Sequence, residues 1–257
     1  MKIFTLTRRS LLVLFSCVLL GTLALSITIR TTSKAIAAAS APREIPIYCV
    51  DRDDKKVAIS FDAAWGNEQT DALLQILKEK NVTATFFLVG EWVDKYPESV
   101  KKIAQMGHDV ENHSDTHPYM TKLSADELVR EITNCNEKIK TLTGKSPSLL
   151  RPPYGDYNNQ VVNAVKEQGM YCIQWDIDSV DWQDPTPQEM VQKITSKLQS
   201  GSIILMHNGA KNTPEALPQI IDAVRAEGYE FVPISELIPE GDYTTDHEGR
   251  MHLSESD

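Results

Sequence analysis

The feature of this sequence that most restricts its fold is a regular alternation of short apolar runs and longer amphipathic segments. Seven runs have the length and composition of strands: Val57–Phe61, Thr83–Val89, His108–Asn112, Ser148–Arg151, Tyr171–Asp176, Ser202–Met206 and Glu230–Pro233. The helices predicted between them are Glu68–Lys80, Pro97–Met106, Ser124–Leu142, Asn159–Gln168, Thr186–Leu198 and Pro214–Glu227. Strands that alternate with helices pair in parallel through crossovers. The sequence therefore predicts an α/β fold, either an open doubly wound sheet or a closed barrel.

The first 30 residues differ from the rest of the chain and predict export. An uncharged apolar stretch, residues 11–29, lies between Arg9 and Arg30 and is long enough for one membrane helix. Basic residues before this stretch favour a cytoplasmic N-terminus and an exported remainder. The length of the stretch favours a retained anchor, whereas Ala37–Ala39 would suit a signal peptidase and give a secreted protein.

These observations divide the chain into four predicted segments. Residues 1–30 are a signal or membrane anchor, residues 31–48 a linker, and residues 49–238 the folded domain. Residues 239–257 are polar and have no apolar period, which predicts a disordered tail. The membrane is thus an expected partner through the N-terminal helix.

The charge of the predicted exported part restricts its partners. Residues 1–40 hold five of the 26 basic residues and no acidic residue, so 21 basic residues accompany 36 acidic ones from residue 41 onward, a net charge of −15. This charge repels nucleic acid, which we exclude as a partner, and tolerates neutral or cationic ligands.

Cys49, Cys135 and Cys172 lack metal-ligand spacing, allow at most one disulfide and are interpreted as buried small hydrophobes.

Polar residues that can carry chemistry come at the ends of the apolar runs or directly after them. These residues are Asp62, His113, His117, Arg151, Asp178, Asp181 and His207. The carboxyl ends of parallel strands lie on one face of a barrel or open sheet, and active sites form there. We therefore expect these side chains to converge in one site.

Each of these residues has a structural and a functional interpretation. His113 and His117 are four apart, so they could bind one metal ion or could be two partly exposed loop histidines. Asp62 could cap the following helix or act as a general base toward a metal-bound water. Arg151 could form a surface ion pair, or the rigid turn of two prolines and Gly155 could hold its guanidinium against a carboxylate.

The same two interpretations apply after the fifth and sixth runs. Asp178 and Asp181 could cap loops, or one of them could orient a histidine. In the second case Trp182 would line a cleft, whereas in the first it would belong to the core. His207 ends a very apolar run, so it is either a satisfied core histidine or a general acid, because its free pKa is near neutrality. The position of all these residues at strand ends favours the functional interpretation.

Five blocks of the sequence, in this order, resemble the motifs of the polysaccharide deacetylases of carbohydrate esterase family 4, the NodB-homology domain. The blocks are Ser60-Phe-Asp-Ala63, His113-Ser-Asp-Thr-His117, Arg151-Pro-Pro-Tyr-Gly155, Asp178-Ser-Val-Asp-Trp182 and Leu205-Met-His207. The resemblance spans roughly residues 56–237, and the stretch at 61–66 is most similar to the PdaB-type sporulation subgroup. It implies a distorted (β/α)7 barrel. It also implies hydrolysis of the N-acetyl group of an N-acetylhexosamine in peptidoglycan or a related cell-wall glycan.

The resemblance further implies catalytic roles. Asp62 is the base, and Arg151 positions it. Either Asp178 or Asp181 orients His207, which protonates the leaving amine.

Binding roles follow from the same resemblance. His113 and His117 bind zinc or a similar divalent ion, such as cobalt. Tyr154 offers its backbone N–H to the oxyanion, and Trp182 and Leu205 belong to the substrate site.

One position departs from the family pattern. Where the family has its third metal ligand, this chain has Ala63, whose methyl group cannot coordinate a cation. Water or a nearby carboxylate such as Asp115 could complete the shell. Two hypotheses follow: a metal-dependent deacetylase, or a non-catalytic glycan-binding protein of the cell wall or spore cortex that kept the fold.

Overall fold

The computed structural model describes residue 22 and residues 42–254. The predicted membrane anchor, apart from residue 22, and most of the predicted linker therefore lie outside the described residues. Within the described part, no helix combines the length and the apolar character needed to cross a membrane.

The centre of the fold is a sheet of parallel strands. The strands in residues 42–254 are β1 Cys49–Val50, β2 Lys56–Ala63, β3 Thr85–Leu88, β4 Asp109–Asn112, β5 Leu149–Leu150, β6 Tyr171–Cys172, β7 Ile177–Asp178, β8 Ile203–His207, β9 Glu230–Phe231, β10 Tyr243–Thr245 and β11 Arg250–Leu253. Seven of them pair in parallel in the order β6-β5-β4-β3-β2-β8-β7, and β9 pairs with the start of β2. This topology confirms the predicted α/β class and the distorted (β/α)7 barrel.

Helices connect the parallel strands. Those in residues 42–254 are α1 Thr70–Glu79, α2 Gly90–Lys95, α3 Pro97–Gln105, α4 Ala125–Thr143, α5 Asn159–Glu167, α6 Pro187–Thr195, α7 Thr213–Ala226 and α8 Ile234–Leu237. The six predicted helices agree with α1, α3, α4, α5, α6 and α7 to within three residues at each end. Ser124 caps α4 through a capping box with Glu127, as the sequence indicates.

The fifth predicted run is wrong as a single strand. The chain forms β6 over Tyr171–Cys172 at one edge of the sheet and then crosses to form β7, which pairs with β8 at the other edge. The half-buried Asp176 anchors this crossing, because its carboxylate accepts hydrogen bonds from the Ser202 hydroxyl at 2.8 Å and the Ile203 N–H at 2.8 Å. An apolar run that contains a hydrogen-bonded carboxylate can thus divide between two edges of the sheet.

Alternation along β2 separates two apolar layers. Phe61 and Ala63 belong to the larger cluster, which contains apolar residues of α1, α3 and α7. Ala58 belongs to a second cluster together with Phe87 of β3 and residues of β8. Asp62 follows Phe61 in the strand, so its side chain points to the opposite face of the strand from that of Phe61.

A short N-terminal segment fills the gap between the two edges of the sheet. Ile47 forms a parallel bridge with Ile173, and Cys49 forms an antiparallel bridge with Ser202.

Cys49, Cys135 and Cys172 are all buried and form no disulfide, so their interpretation as small buried hydrophobes is confirmed.

The prediction of a disordered tail is wrong for most of residues 239–254. β10 and β11 pair antiparallel, and β11 also pairs in parallel with β1. Met251 is buried, and the ring of Tyr243 lies 5.4 Å from that of Tyr171. Pairing with a distant strand stabilises this polar hairpin, and composition alone does not reveal such a partner.

Candidate active site

The carboxyl ends of the parallel strands surround a cleft of about 460 Å³. Its lining residues are Asp62, Ala64, Trp65, His113, His117, Tyr154, Trp175, Asp178, Trp182, Leu205 and His207. The structure thus brings together eight of the ten site residues that the sequence predicts. The other two, Arg151 and Asp181, are fully buried behind the cleft and contact residues that line it.

Asp62 is held by a buried guanidinium. Arg151 donates from Nη1 to Asp62 Oδ1 at 2.7 Å and from Nη2 to the Ser60 hydroxyl at 2.9 Å. Burial raises the pKa of Asp62, but the charge and hydrogen bond of Arg151, together with the nearby His113 and His207, place that pKa below its ordinary value. Asp62 is therefore ionised at neutral pH. The interpretation of Asp62 as a helix cap is excluded, because Gln69 is the N-cap residue of α1.

The two histidines after β4 face each other across 5.0 Å between ring centroids. The Nδ1–H of His113 donates to the Arg151 carbonyl at 2.7 Å, which leaves the lone pair on Nε2. Burial lowers the pKa of His113, and it lowers the pKa of His117 to about 4. Both imidazoles are therefore neutral at pH 7, as metal ligation requires.

A network of polar side chains shapes the loop that carries these histidines. The amide oxygen of Asn112 accepts from the Ser114 N–H at 2.7 Å, and the Ser114 hydroxyl accepts from the His117 N–H at 3.0 Å. Glu131 on α4 accepts from the backbone N–H groups of Asp115 and Thr116 at 2.9 and 2.8 Å. Asn112 and Glu131 are not among the site residues that the sequence predicts. The helical position of Glu131 gave no signal of its contact with the loop.

His207 forms a second pair with the buried Asp181. The Nδ1–H of His207 donates to Asp181 Oδ1 at 2.7 Å, and the His207 backbone N–H donates to Oδ2 at 2.7 Å. Burial lowers the pKa of His207, but the hydrogen bond and charge of Asp181, together with the charges of Asp62 and Asp178, place that pKa above its ordinary value. Of the two candidate aspartates, Asp181 therefore orients His207. The hydroxyl of Thr213, which is not among the predicted site residues, also donates to Asp181 Oδ2 at 2.7 Å.

The remaining predicted residues lie at the cleft wall. Asp178 accepts from the Val180 N–H at 2.8 Å, so it shapes its own loop. Leu205 is nearly buried, whereas Trp182 and Tyr154 are more than half exposed. Tyr154 adopts a left-handed conformation with φ of 60° inside a short 3₁₀ turn, and its ring stacks on that of Tyr119.

The donor set fits only part of a divalent cation site. His113 Nε2 and Asp62 Oδ2 are both acceptors and lie 3.5 Å apart, so a cation or a hydrogen-bond donor between them would relieve their repulsion. Asp115 does not supply a third ligand, because its carboxylate pairs with Lys138 Nζ at 2.6 Å. Across the described residues, no group of three or more His, Cys, Asp or Glu side chains is arranged to hold a metal ion.

The pairing of β2 with β8 places a base and an acid side by side. Asp62 and His207 are register partners on these neighbouring strands, and both line the cleft. Asp62 can accept a proton, and His207, with its raised pKa, can donate one. This arrangement can perform hydrolysis that needs base-assisted attack by water and protonation of a leaving group.

Comparisons with known proteins show similarity to one family. Residues 50–173 match the family model of polysaccharide deacetylase. The chain is 36% identical over 195 residues to uncharacterized protein YlxY of Bacillus subtilis, which covers 76% of this chain and 61% of that protein. It is 35% identical to the peptidoglycan-N-acetylglucosamine deacetylase PgdA of Listeria monocytogenes, over 74% of this chain and 40% of PgdA. The chain thus spans less than two thirds of these relatives.

Solved structures give the same relationship over most of the domain. The wild-type protein BA3943 of Bacillus anthracis, described as a CE4 family pseudoenzyme, is 36% identical with a TM-score of 0.73, over 75% of this chain and 68% of that one. A BA3943 mutant, described as having restored enzymatic activity, is 38% identical with a TM-score of 0.73, over 75% of this chain and 70% of that one. The chain belongs to the polysaccharide deacetylase family, carbohydrate esterase family 4.

Proposed function

We propose that this domain hydrolyses N-acetyl groups of N-acetylhexosamines in peptidoglycan or a related cell-wall polysaccharide. The observation that carries the proposal is the register pairing of Asp62 with His207, each held by its own buried partner, Arg151 or Asp181. Relatives named as peptidoglycan deacetylases support the substrate class. The net charge of −15 from residue 41 onward excludes polyanions such as nucleic acid as substrates.

In the proposed reaction, Asp62 takes a proton from the attacking water while Arg151 keeps its carboxylate ionised and oriented. The Tyr154 backbone N–H donates to the oxyanion that forms on the acetyl carbonyl. His207, oriented by Asp181, then protonates the leaving amine.

Binding of the substrate involves the walls of the cleft. Trp182 and Leu205 offer apolar surface to the acetylated sugar. Asp178 shapes the loop before Trp182 by accepting a hydrogen bond from the Val180 N–H. These groups exclude water on one side of the reacting amide.

We propose that His113 and His117 hold a divalent cation, with zinc as the expected ion and cobalt as an alternative. The neutral imidazoles and the carbonyl-bonded Nδ1 of His113 support this assignment, because metal-binding histidines commonly donate their second N–H to a carbonyl. The ion would supply Lewis-acid polarisation of the acetyl carbonyl. With Ala63 in place of the third ligand, we expect weak binding.

A second candidate function is glycan binding without hydrolysis. Ala63 and the similarity to the pseudoenzyme BA3943 both favour it. In this case the cleft binds the same N-acetylated glycan, and Asp62 and His207 remain as structural pairs with Arg151 and Asp181.

Acetate release separates the two candidates. Wild type, Ala63→Asp, His207→Ala and the double variant are incubated with N-acetylated peptidoglycan and Zn²⁺ or Co²⁺. Deacetylation predicts acetate from the wild type above the His207→Ala control, and a gain for Ala63→Asp that the double variant loses. No acetate from the wild type or Ala63→Asp, with glycan still bound, supports binding alone.

A thermal-shift measurement gives a readout of the Ala63→Asp variant besides activity. The side chain of residue 63 is fully buried in the larger apolar cluster, so an uncompensated carboxylate there destabilises the domain. We expect the melting temperature of Ala63→Asp to rise with added Zn²⁺ more than that of the wild type, by mass action. An equal response would contradict the assignment of position 63 as a ligand position.

We further propose that residues 1–30 export the domain and anchor it to the membrane, with sporulation as the setting. The apolar stretch at 11–29 and the preceding basic residues support export. Cell fractionation tests retention: a membrane-bound domain supports the anchor, and a free domain supports cleavage.

A further inference from the structure

The tryptophans of this chain concentrate around the cleft. Trp65, Trp175 and Trp182 line it, and Trp92 donates its indole N–H to the Gly66 carbonyl at 2.6 Å. These four are all the tryptophans of the chain. Trp65 has no part in the reaction described above, although it is 45% exposed in the cleft.

One face of Trp65 is already in contact with the site. Its ring centroid lies 5.0 Å from that of His207, with the planes inclined by 35°. Because the side chain nevertheless remains nearly half exposed, a large apolar surface faces the cleft beside the group that protonates the leaving amine. An exposed indole at this place costs hydration free energy unless a ligand covers it.

Neighbouring residues fix the position of Trp65. A Cβ atom at Gly209 would clash with the Trp65 carbonyl oxygen and would lie 2.7 Å from the Trp65 Nε1 and 2.8 Å from Cδ1, closer than such contacts allow, so only glycine fits against this residue. The bond from Trp92 holds the following residue, Gly66, which has a φ of +63°. These contacts hold the indole of Trp65 in one position. A rigid aromatic surface binds a ligand at low entropic cost.

We propose that Trp65 is a sugar-binding residue whose open face stacks on a pyranose ring of the glycan. The inference rests on the proposed function, because the hexosamine amine must lie next to His207 for protonation. A pyranose ring presents apolar C–H groups on its faces, which suit an aromatic surface. A neutral N-acetylated sugar is also compatible with the acidic charge of the domain.

Calorimetric titration with the β-1,4-linked tetramer of N-acetylglucosamine tests this proposal in the full-length chain. We expect Trp65→Ala to weaken affinity roughly tenfold and Trp65→Phe, which keeps an aromatic face, to weaken it about threefold or less. Val129→Ala is the matched control, since Val129 is an exposed apolar residue on α4 that does not line the cleft. Its affinity is expected to equal that of the wild type.

Gly209→Ala provides an independent test, because it displaces Trp65 without removing it. We expect this variant to weaken tetramer binding as Trp65→Ala does. If Trp65→Ala binds the tetramer like the wild type, the inference is wrong while the proposed function stands. If the wild type neither binds the tetramer nor releases acetate from peptidoglycan, the proposed function fails as well.

Discussion

Arg151 illustrates how a single buried side chain can set the chemistry of its neighbour. Its guanidinium is fully buried, lies 4.1 Å from the ring centroid of Phe87, and donates to Asp62, Ser60 and the Gln174 carbonyl. A buried carboxylate without such a partner would take up a proton rather than remain charged. The ionised state of Asp62 therefore depends on a residue 89 positions away in the chain.

Thr213 provides a test at the same scale, because its only assigned role is to position Asp181. Thr213→Val removes the hydroxyl that donates to Asp181 Oδ2 but keeps the shape of the side chain. We expect acetate release to fall roughly tenfold, with the free energy of unfolding lowered by about 1–2 kcal/mol. Thr213→Ser, which keeps the hydroxyl, is expected to restore most of the rate.

A merely structural role for Thr213 would give another pattern. The pH profile of acetate release distinguishes the positioning role from a structural one. If Asp181 is displaced, it raises the pKa of His207 less, so the limb of the profile that His207 controls shifts to lower pH. An unchanged profile with a lowered stability would contradict the positioning role.

At the scale of elements, the loops after the strands carry most of the unusual backbone. Ser114, His117, Tyr154 and Val180 all have positive φ values, and each lies in a loop that borders the cleft. Such conformations cost energy for residues other than glycine, and most of all for the β-branched Val180. Hydrogen bonds hold these loops in place, both within a loop, as from the His117 N–H to the Ser114 hydroxyl, and to a neighbouring helix, as from the Thr116 N–H to Glu131.

Glu111 on β4 offers a prediction for pH dependence. Its buried carboxylate accepts from the Ser148 and Leu149 N–H groups at 2.8 Å, so it ties β4 to the start of β5. Burial raises its pKa to about 8 despite these bonds. The folded state therefore binds one more proton than the unfolded state between pH 4.5 and 8, and this stabilisation is lost as the pH rises through that window.

Glu111→Gln removes the titration while keeping an acceptor oxygen. We expect the stability of the wild type relative to Glu111→Gln to fall by at most about 1.4 kcal/mol per pH unit between pH 5 and 8. Urea unfolding of both proteins at several pH values measures this difference. Parallel stability curves would show that Glu111 keeps its ordinary pKa in the folded protein.

At the scale of the whole described domain, residues from opposite ends of the sequence close the structure. β1 pairs with β11, and the Asp51 N–H donates to the Met251 carbonyl at 2.8 Å. His252 also pairs with Asp51 at 2.9 Å. The C-terminal hairpin is therefore part of the folded domain and covers apolar surface that the barrel strands leave open.

Truncation tests the contribution of this hairpin. A variant that ends at Ile238 loses β10 and β11, including the buried Met251, and we expect the free energy of unfolding to fall by about 2–5 kcal/mol. A variant that ends at Leu253 keeps both strands and serves as the control. Urea midpoints that agree between the two variants would contradict a stabilising role for the hairpin.

Local pattern was sufficient for several features of this protein. The alternation of apolar runs with capped helices predicts the α/β fold, since secondary structure follows short-range periodicity. The motif order predicts which residues meet in the cleft, because the carboxyl ends of parallel strands share one face. Ala63 as a departure from the ligand pattern is equally visible in the sequence.

Only the tertiary structure decided features that depend on contacts between distant segments. Asp181, and not Asp178, is the partner of His207. The fifth run divides between two edges of the sheet, and the C-terminal hairpin pairs with β1. The carboxylate of Asp115 forms an ion pair with Lys138. In each case the outcome depends on which long-range partner satisfies a buried charge or an open strand edge, and short-range pattern does not encode that choice.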